Sequence, residues 1–179
     1  KTEKESLKLS DLNGEISSFA GIQFVSNDEF AFVSWKSHAI FRYNMKSKHL
    51  KKICELKENA ENLEVDLKNG CAAYTVDGNV WYSCPDKSPV QLTKDGGKGI
   101  TYGMAVHRNE FGIEKGFFLS DNGKKLAFYR MDETMVKEYP IVNTDAREAE
   151  PTPILYPMAG MKSHEVTIFV YDSQTGKTV

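Results

Sequence analysis

The chain has 179 residues, of which 40% are hydrophobic and 27% charged, and its formal net charge is −2. That length allows one domain or a large piece of one. So balanced a charge creates no field to draw nucleic acid or an anionic membrane surface, and no stretch approaches the roughly 20 apolar residues of a helical membrane span.

The chain begins at Lys1 in "KTEKESLKLS", with no initiating Met and no signal peptide, so it reads as a processed product or a cut segment. The first recognisable unit runs from Ile22 through "IQFVSNDEFAFVSWKSHAIFRYNMKSKHLKKI". It reads as a short apolar strand, a polar turn at Asn27-Asp28, a second apolar strand, another turn and an amphipathic strand. In "EFAFVSW", Phe30 and Phe32 fall on one face and Ala31, Val33 and Trp35 on the other. Both faces are apolar, which predicts a strand covered on both sides, as in stacked sheets. The strands "AIFRYNM" and, further on, "NVWYSC" alternate more and are expected nearer a rim. The run Lys46 to Lys52 reads as a solvated edge strand.

A second unit starts at Leu63 with its turn at Asn69-Gly70, and a third opens at Phe117 with its turn at Asn122-Gly123 and closes with "EVTIFVYDSQTGKTV" from Glu165. Asn, Asp and Gly tolerate the positive φ of tight hairpins. The turns recur at about 40 to 50 residues, the period of propeller blades. The third unit is interrupted from Glu133 to His164 by a Pro-rich, irregular stretch, which suggests a functional or partner-facing insertion. The expectation is an all-β chain forming part of a β-propeller. It has about three four-stranded antiparallel blades, near residues 19–55, 60–95 and 114–179, with a long insertion in the third. Three blades do not close a ring, so edges should be exposed at both ends.

Chemistry is concentrated in "HRNEFGIEKGFF", residues 107 to 118, within a loop spanning about 103–116. Gly112 and Gly116 are expected to supply turn conformations, and Phe111, Phe117 and Phe118 to anchor the loop base. Glu114 reads as solvated or salt-bridged, and Arg130 and Asp132 as structural. Cys54, Cys71 and Cys84 are odd in number and scattered, which argues against a disulfide framework. His38, His49, His107 and His164 form no HxxxH or HExxH spacing. Neither a metal site nor a cofactor is expected.

The strings "EFGIEKG", "LAFYRMD", "YPMAG" and "TGKTV" resemble the dipeptidyl peptidase IV family of the prolyl oligopeptidase clan, and within it the bacterial prolyl tripeptidyl aminopeptidase branch. The resemblance is strong from about Gly103 to Val179. It departs from the family pattern at "LSDNG", where a Trp-Ser-Pro-x-Gly string is frequent. It implies the early part of the propeller of a secreted or periplasmic serine exopeptidase, followed in the family by an α/β-hydrolase domain. In that family a segment projects from the propeller into the active-site cavity, and glutamate on it grips the substrate α-ammonium. Glu110 occupies the matching position. Dipeptidyl peptidases show two adjacent Glu there, whereas this chain has Asn109-Glu110, so tripeptide release is as compatible as dipeptide release. Asn109 either hydrogen-bonds substrate or caps the segment. Arg108 either contacts substrate or, with His107, shapes the loop. A family Arg that contacts substrate carbonyls has no match in "ELKENAENLEV", which offers Lys57 but no Arg.

No G-x-S-x-G elbow is present, so no catalytic residue is expected in this segment. The partners implied by resemblance are a peptide with a free N terminus, a C-terminal hydrolase domain and a second copy in a homodimer; nucleic acid is not among them. The rival reading is a non-catalytic propeller used as a binding platform for protein or ligand.

Overall fold

A computed structural model of the chain describes residues 7–12, 14, 16–18, 21–107 and 111–179. Among them the secondary structure is one turn of 3-10 helix at Leu9–Asp11 and fifteen strands. The first sheet holds β1 (Gln23–Phe24), β2 (Glu29–Ser34), β3 (Ala39–Asn44) and β4 (His49–Glu55) as an antiparallel meander. The second repeats the plan with β5 (Glu61–Asp66), β6 (Cys71–Val76), β7 (Asn79–Ser83) and β8 (Val90–Gln91). The third is built from β9 (Ile100–Tyr102), β10 (Phe117–Leu119), β11 (Lys125–Asp132), β14 (Glu165–Asp172) and β15 (Lys177–Thr178). A separate two-stranded ribbon, β12 (Glu138–Asn143) with β13 (Glu150–Leu155), stands between β11 and β14.

Apolar residues on both faces of the inner strands hold the sheets together. Ala31, Ile40 and Cys54 of the first sheet meet Ala72 and Tyr74 of the second in one buried cluster. The other face of the second sheet, with Ala73, Val80 and Tyr82, packs on Tyr102, Phe117, Leu126, Phe128 and Tyr171 of the third. Three face-to-face sheets, each an antiparallel meander with four strand positions, the first of which β9 and β10 share in the third sheet, are propeller blades. The free face of the first sheet is closed by Leu12 and Ile16 of the N-terminal segment against Phe30, Phe32, Phe41 and Tyr43. Phe30 and Phe32 thus take one face and Ala31 and Val33 the other, as their alternation predicts. Trp35 lies past the strand end and is 50% exposed.

Some local expectations fail for physical reasons. The strand "AIFRYNM" is not near a rim: β3 is an inner strand, buried at Ala39, Ile40, Phe41 and Tyr43, because both its faces are covered. The rim strand is β4, whose Lys51 and Lys52 are exposed and discourage edge pairing. The hairpin turns at Gly70 and Gly123 use positive φ, of 73° and 66°, whereas neither Asn27 nor Asp28 does. The insertion is not structureless. Its prolines pair across the ribbon, Pro140 opposite Pro153 and Pro151 opposite Val142. A two-stranded ribbon has only outer edges, where a missing N–H is tolerated.

Candidate functional site

The stretch between β9 and β10 is an excursion from one broken strand. Both β9 and β10 lie on the same side of β11: Tyr102 stands opposite Arg130 and Phe117 opposite Phe128. The residue between, Tyr129, is shared. Gly103 N donates to Tyr129 O at 2.9 Å and Tyr129 N donates to Gly116 O at 3.0 Å. Residues 104–115 therefore leave and re-enter the blade through a neck one residue wide.

The neck is narrow enough to need glycine at both posts. Gly103 has φ of 65°, and a Cβ there would lie 2.1 Å from the Phe117 ring. A Cβ on Gly116 would lie 2.2 Å from Met104 O. Gly116 therefore serves a close backbone approach, not a positive-φ turn, whereas Gly112, with φ of 72°, does make the expected turn. Of the three Phe expected to anchor the base, only Phe117 does so, at 2% exposure. Phe118 is exposed on the far face of the blade, and Phe111 is 85% exposed. Val106, buried, is the apolar anchor that sequence reasoning missed.

Two side-chain ties to β5 pin the neck. Asn62 of β5 donates its side-chain N–H to Gly103 O, and Lys115 Nζ pairs with Glu64 Oε1 at 2.6 Å. Together with Phe117 these residues line a cleft of about 130 Å³ between the second and third blades. Asn62 and Glu64 lie in "ELKENAENLEV", the stretch that offered no substrate-binding Arg; Lys57 there sits over the Trp81 ring at 5.0 Å. A third tie comes from the far end of the insertion. His164, immediately before β14, places Nε2 2.9 Å from His107 Nδ1, with ring centroids 4.9 Å apart. One ring nitrogen donates and the other accepts.

Arg108, Asn109 and Glu110 lie outside the described residues. Their flanks are described: His107 and Phe111 both have left-handed backbones, with φ of 53° and 59°, and their rings meet edge to face at 6.1 Å. Left-handed backbone is uncommon at non-glycine positions, so His107 and Phe111 are unusual points in the excursion. Glu114 is exposed and lines an open depression of about 540 Å³ with Lys115, Phe118 and Tyr129. Arg130 is held by Asp132 at 3.1 Å and approaches Asp95, a structural role as expected. Among the described residues no group of three or more His, Cys, Asp or Glu is placed to hold a metal ion.

Stacked antiparallel blades with an anchored excursion from an edge strand define part of a β-propeller. A model of the family described as "Dipeptidyl peptidase IV (DPP IV) N-terminal region" matches residues 25–179. The chain belongs to that family. Fungal proteins assigned as dipeptidyl-aminopeptidase B are similar: that of Talaromyces marneffei is 32% identical over 126 residues, covering 62% of this chain and 14% of the relative. That of Talaromyces stipitatus is 34% identical over 118 residues, covering 57% and 13%. A solved structure assigned as a dipeptidyl aminopeptidase IV from Bacteroides ovatus superposes with a TM-score of 0.71 at 38% identity, over 88% of this chain and 22% of that one. Dipeptidyl peptidase 4 of Porphyromonas gingivalis shares the fold, with a TM-score of 0.60 at 23% identity, over 90% of this chain and 23% of that one. The chain thus spans a minor part of the length of each of these relatives.

Proposed function

We propose that the chain is the early propeller of a serine exopeptidase that releases Xaa-Pro dipeptides or Xaa-Xaa-Pro tripeptides from peptides with a free N terminus. In this reading the tip of the 103–116 excursion carries Glu110 to the substrate α-ammonium, with Asn109 beside it and Arg108 available to a substrate carbonyl. Catalysis belongs to an α/β-hydrolase domain outside these residues. The observation that carries the reading is the pinned neck: a blade strand is broken between Tyr102 and Phe117, and both glycine posts are fastened to the blade. Family membership and the printed names of the relatives support it.

The physics is that of positioning. A carboxylate–ammonium hydrogen bond contributes roughly 1.5–3 kcal/mol. A blocked or internal amine leaves the carboxylate unpaired, which excludes endopeptidase cleavage. Fixing the substrate end makes attack on the scissile carbonyl effectively unimolecular. One carboxylate beside a neutral amide leaves more room than two carboxylates, which favours a tripeptide product. The whole protein is further proposed to be periplasmic or secreted and to work as a homodimer.

The test is steady-state kinetics of the full-length protein on di- and tripeptide anilides. Glu110→Ala is expected to lower kcat/KM for free-amine substrates by tenfold or more, about 1.4 kcal/mol. N-acetylated substrates should not be cleaved by either form. An unchanged kcat/KM would defeat the role of Glu110, and absence of any hydrolysis would favour a non-catalytic binding platform.

A further inference from the structure

The three cysteines, scattered in sequence, are not scattered in space. The β6–β7 hairpin turns at Asp77-Gly78, with φ of 49° and 73°, and pairs Val76 with Asn79 and, in steady register, Ala72 with Ser83. One further step places Cys71 opposite Cys84. A two-residue turn makes the pair beside it hydrogen-bonded, and the type alternates along the ladder. Counting outward from Val76 and Asn79, Cys71 and Cys84 form a non-hydrogen-bonded pair. The backbone agrees: Val80, at another such position, turns its N–H outward to Thr93 Oγ1 and its carbonyl outward to Leu92 N.

Non-hydrogen-bonded partners have Cα atoms about 4.5 Å apart, inside the window of about 4.4–6.8 Å that a disulfide spans. Both side chains lie on the face that carries Ala73 and Tyr82, toward the third blade. Both line an open depression of about 430 Å³ with Pro85, Lys87 and Lys124. Cys54 belongs to the cluster between the first and second blades, on the opposite face of the second sheet. In the structure all three are thiols.

We propose that Cys71 and Cys84 are an oxidisable pair that closes to a cross-strand disulfide when the protein meets an external disulfide, either a small molecule such as oxidised glutathione or a thiol oxidoreductase. The Cys84 thiolate attacks one sulfur of the external disulfide and expels one thiolate. The Cys71 thiolate then attacks Cys84 Sγ and expels the second. The two cysteines are oxidised, the external disulfide is reduced to two thiols, and the protons lost by the cysteines end on the expelled sulfurs. Cys84 acts first because it is the less buried and has Lys87 nearby to favour its thiolate, although burial raises both thiols overall. Closure draws Cys71 Sγ from its place under Gly123, where a Cβ would lie 2.7 Å from it, and so bears on the seam between the second and third blades. The inference is independent of the proposed peptidase activity.

Trypsin separates the pair from Cys54, because residues 69–87 carry both cysteines with no Lys or Arg between them. The full-length protein, purified reduced, is equilibrated with oxidised glutathione, unfolded in the presence of an alkylating agent and digested. The expected result is a 69–87 peptide without alkyl groups and lighter than the dithiol by two hydrogens, with Cys54 alkylated. Closure should be about tenfold faster in folded than in urea-unfolded protein, because the fold holds the sulfurs together. Cys71→Ser should instead accumulate glutathione on Cys84. A doubly alkylated peptide, glutathione retained on wild-type Cys84, or closure no faster in the folded protein would each overturn the proposal. None of these readings requires a variant to fold.

Discussion

At the scale of single residues, the seams between blades hold groups that resist ionisation. Burial raises Cys54 from 9.0 to about 12, with smaller contributions from Cys71 and Cys84. Burial likewise pushes up Tyr74, whose hydroxyl is hydrogen-bonded with Ser83 Oγ at 3.0 Å, and Tyr82, whose hydroxyl donates to Gly123 O. These groups are neutral acids, so the folded state holds its protons to higher pH than the unfolded chain. Their contribution is fully present below the unfolded value and is lost as pH rises toward the folded one. For Cys54 the loss should begin near pH 9 and continue to about 12, at up to about 1.4 kcal/mol per pH unit. Denaturant melts across that range should show a falling alkaline limb that is shallower in Cys54→Ala. Equal slopes in the two proteins would show that another group is responsible.

At the scale of elements, the neck of the excursion is more informative than its charges. The Lys115–Glu64 pair is partly exposed and contributes at most about 1 kcal/mol. Gly116→Ala, by contrast, drives a Cβ into backbone atoms of Met104 and Gly103 that have no rotamer to yield. It should destabilise the protein by about 2 kcal/mol or more and, on the proposed peptidase reading, raise KM for free-amine peptides. A Tm and KM equal to wild type would show that the neck relaxes freely. His164→Ala removes the tie to His107 from the opposite side. On the proposed peptidase reading it should raise KM with little change in Tm, because only one half-buried hydrogen bond is lost. Part of this was legible in the sequence. The glycines at 112 and 116 announced a special backbone, but only the fold separates a positive-φ turn from a close approach. Tyr129, His164 and Asn62 are remote in sequence from the excursion, and no local pattern marks them as its fastenings. The ribbon β12–β13 was hidden because its prolines argue against strand formation everywhere except at an edge.

At the scale of the molecule, the repeat of turn residues revealed the blades because each blade is a local meander, and its strand order follows chain order. What the repeat does not encode is which faces stay open. The third sheet turns Phe118, Tyr129 and Ile168 away from the second blade, with Ile168 60% exposed and Phe118 exposed beside it. In a complete propeller such a face is covered by another blade. Residues 1–179 expressed alone should therefore associate through this face, and Ile168→Lys should shift the distribution toward monomer. Sedimentation velocity at increasing concentration measures both. A clean monomer at high concentration would show that the face is adequately solvated.

The broken edge strand carries a consequence for how such a protein can diversify. Because β9 and β10 take hydrogen bonds from the same neighbour on either side of one tyrosine, the ladder ignores how many residues leave between the two glycine posts. Loop-closure entropy rises only slowly with length. Lengthening, shortening or rewriting the excursion therefore leaves blade register untouched, and its length becomes adjustable separately from the scaffold that supports it.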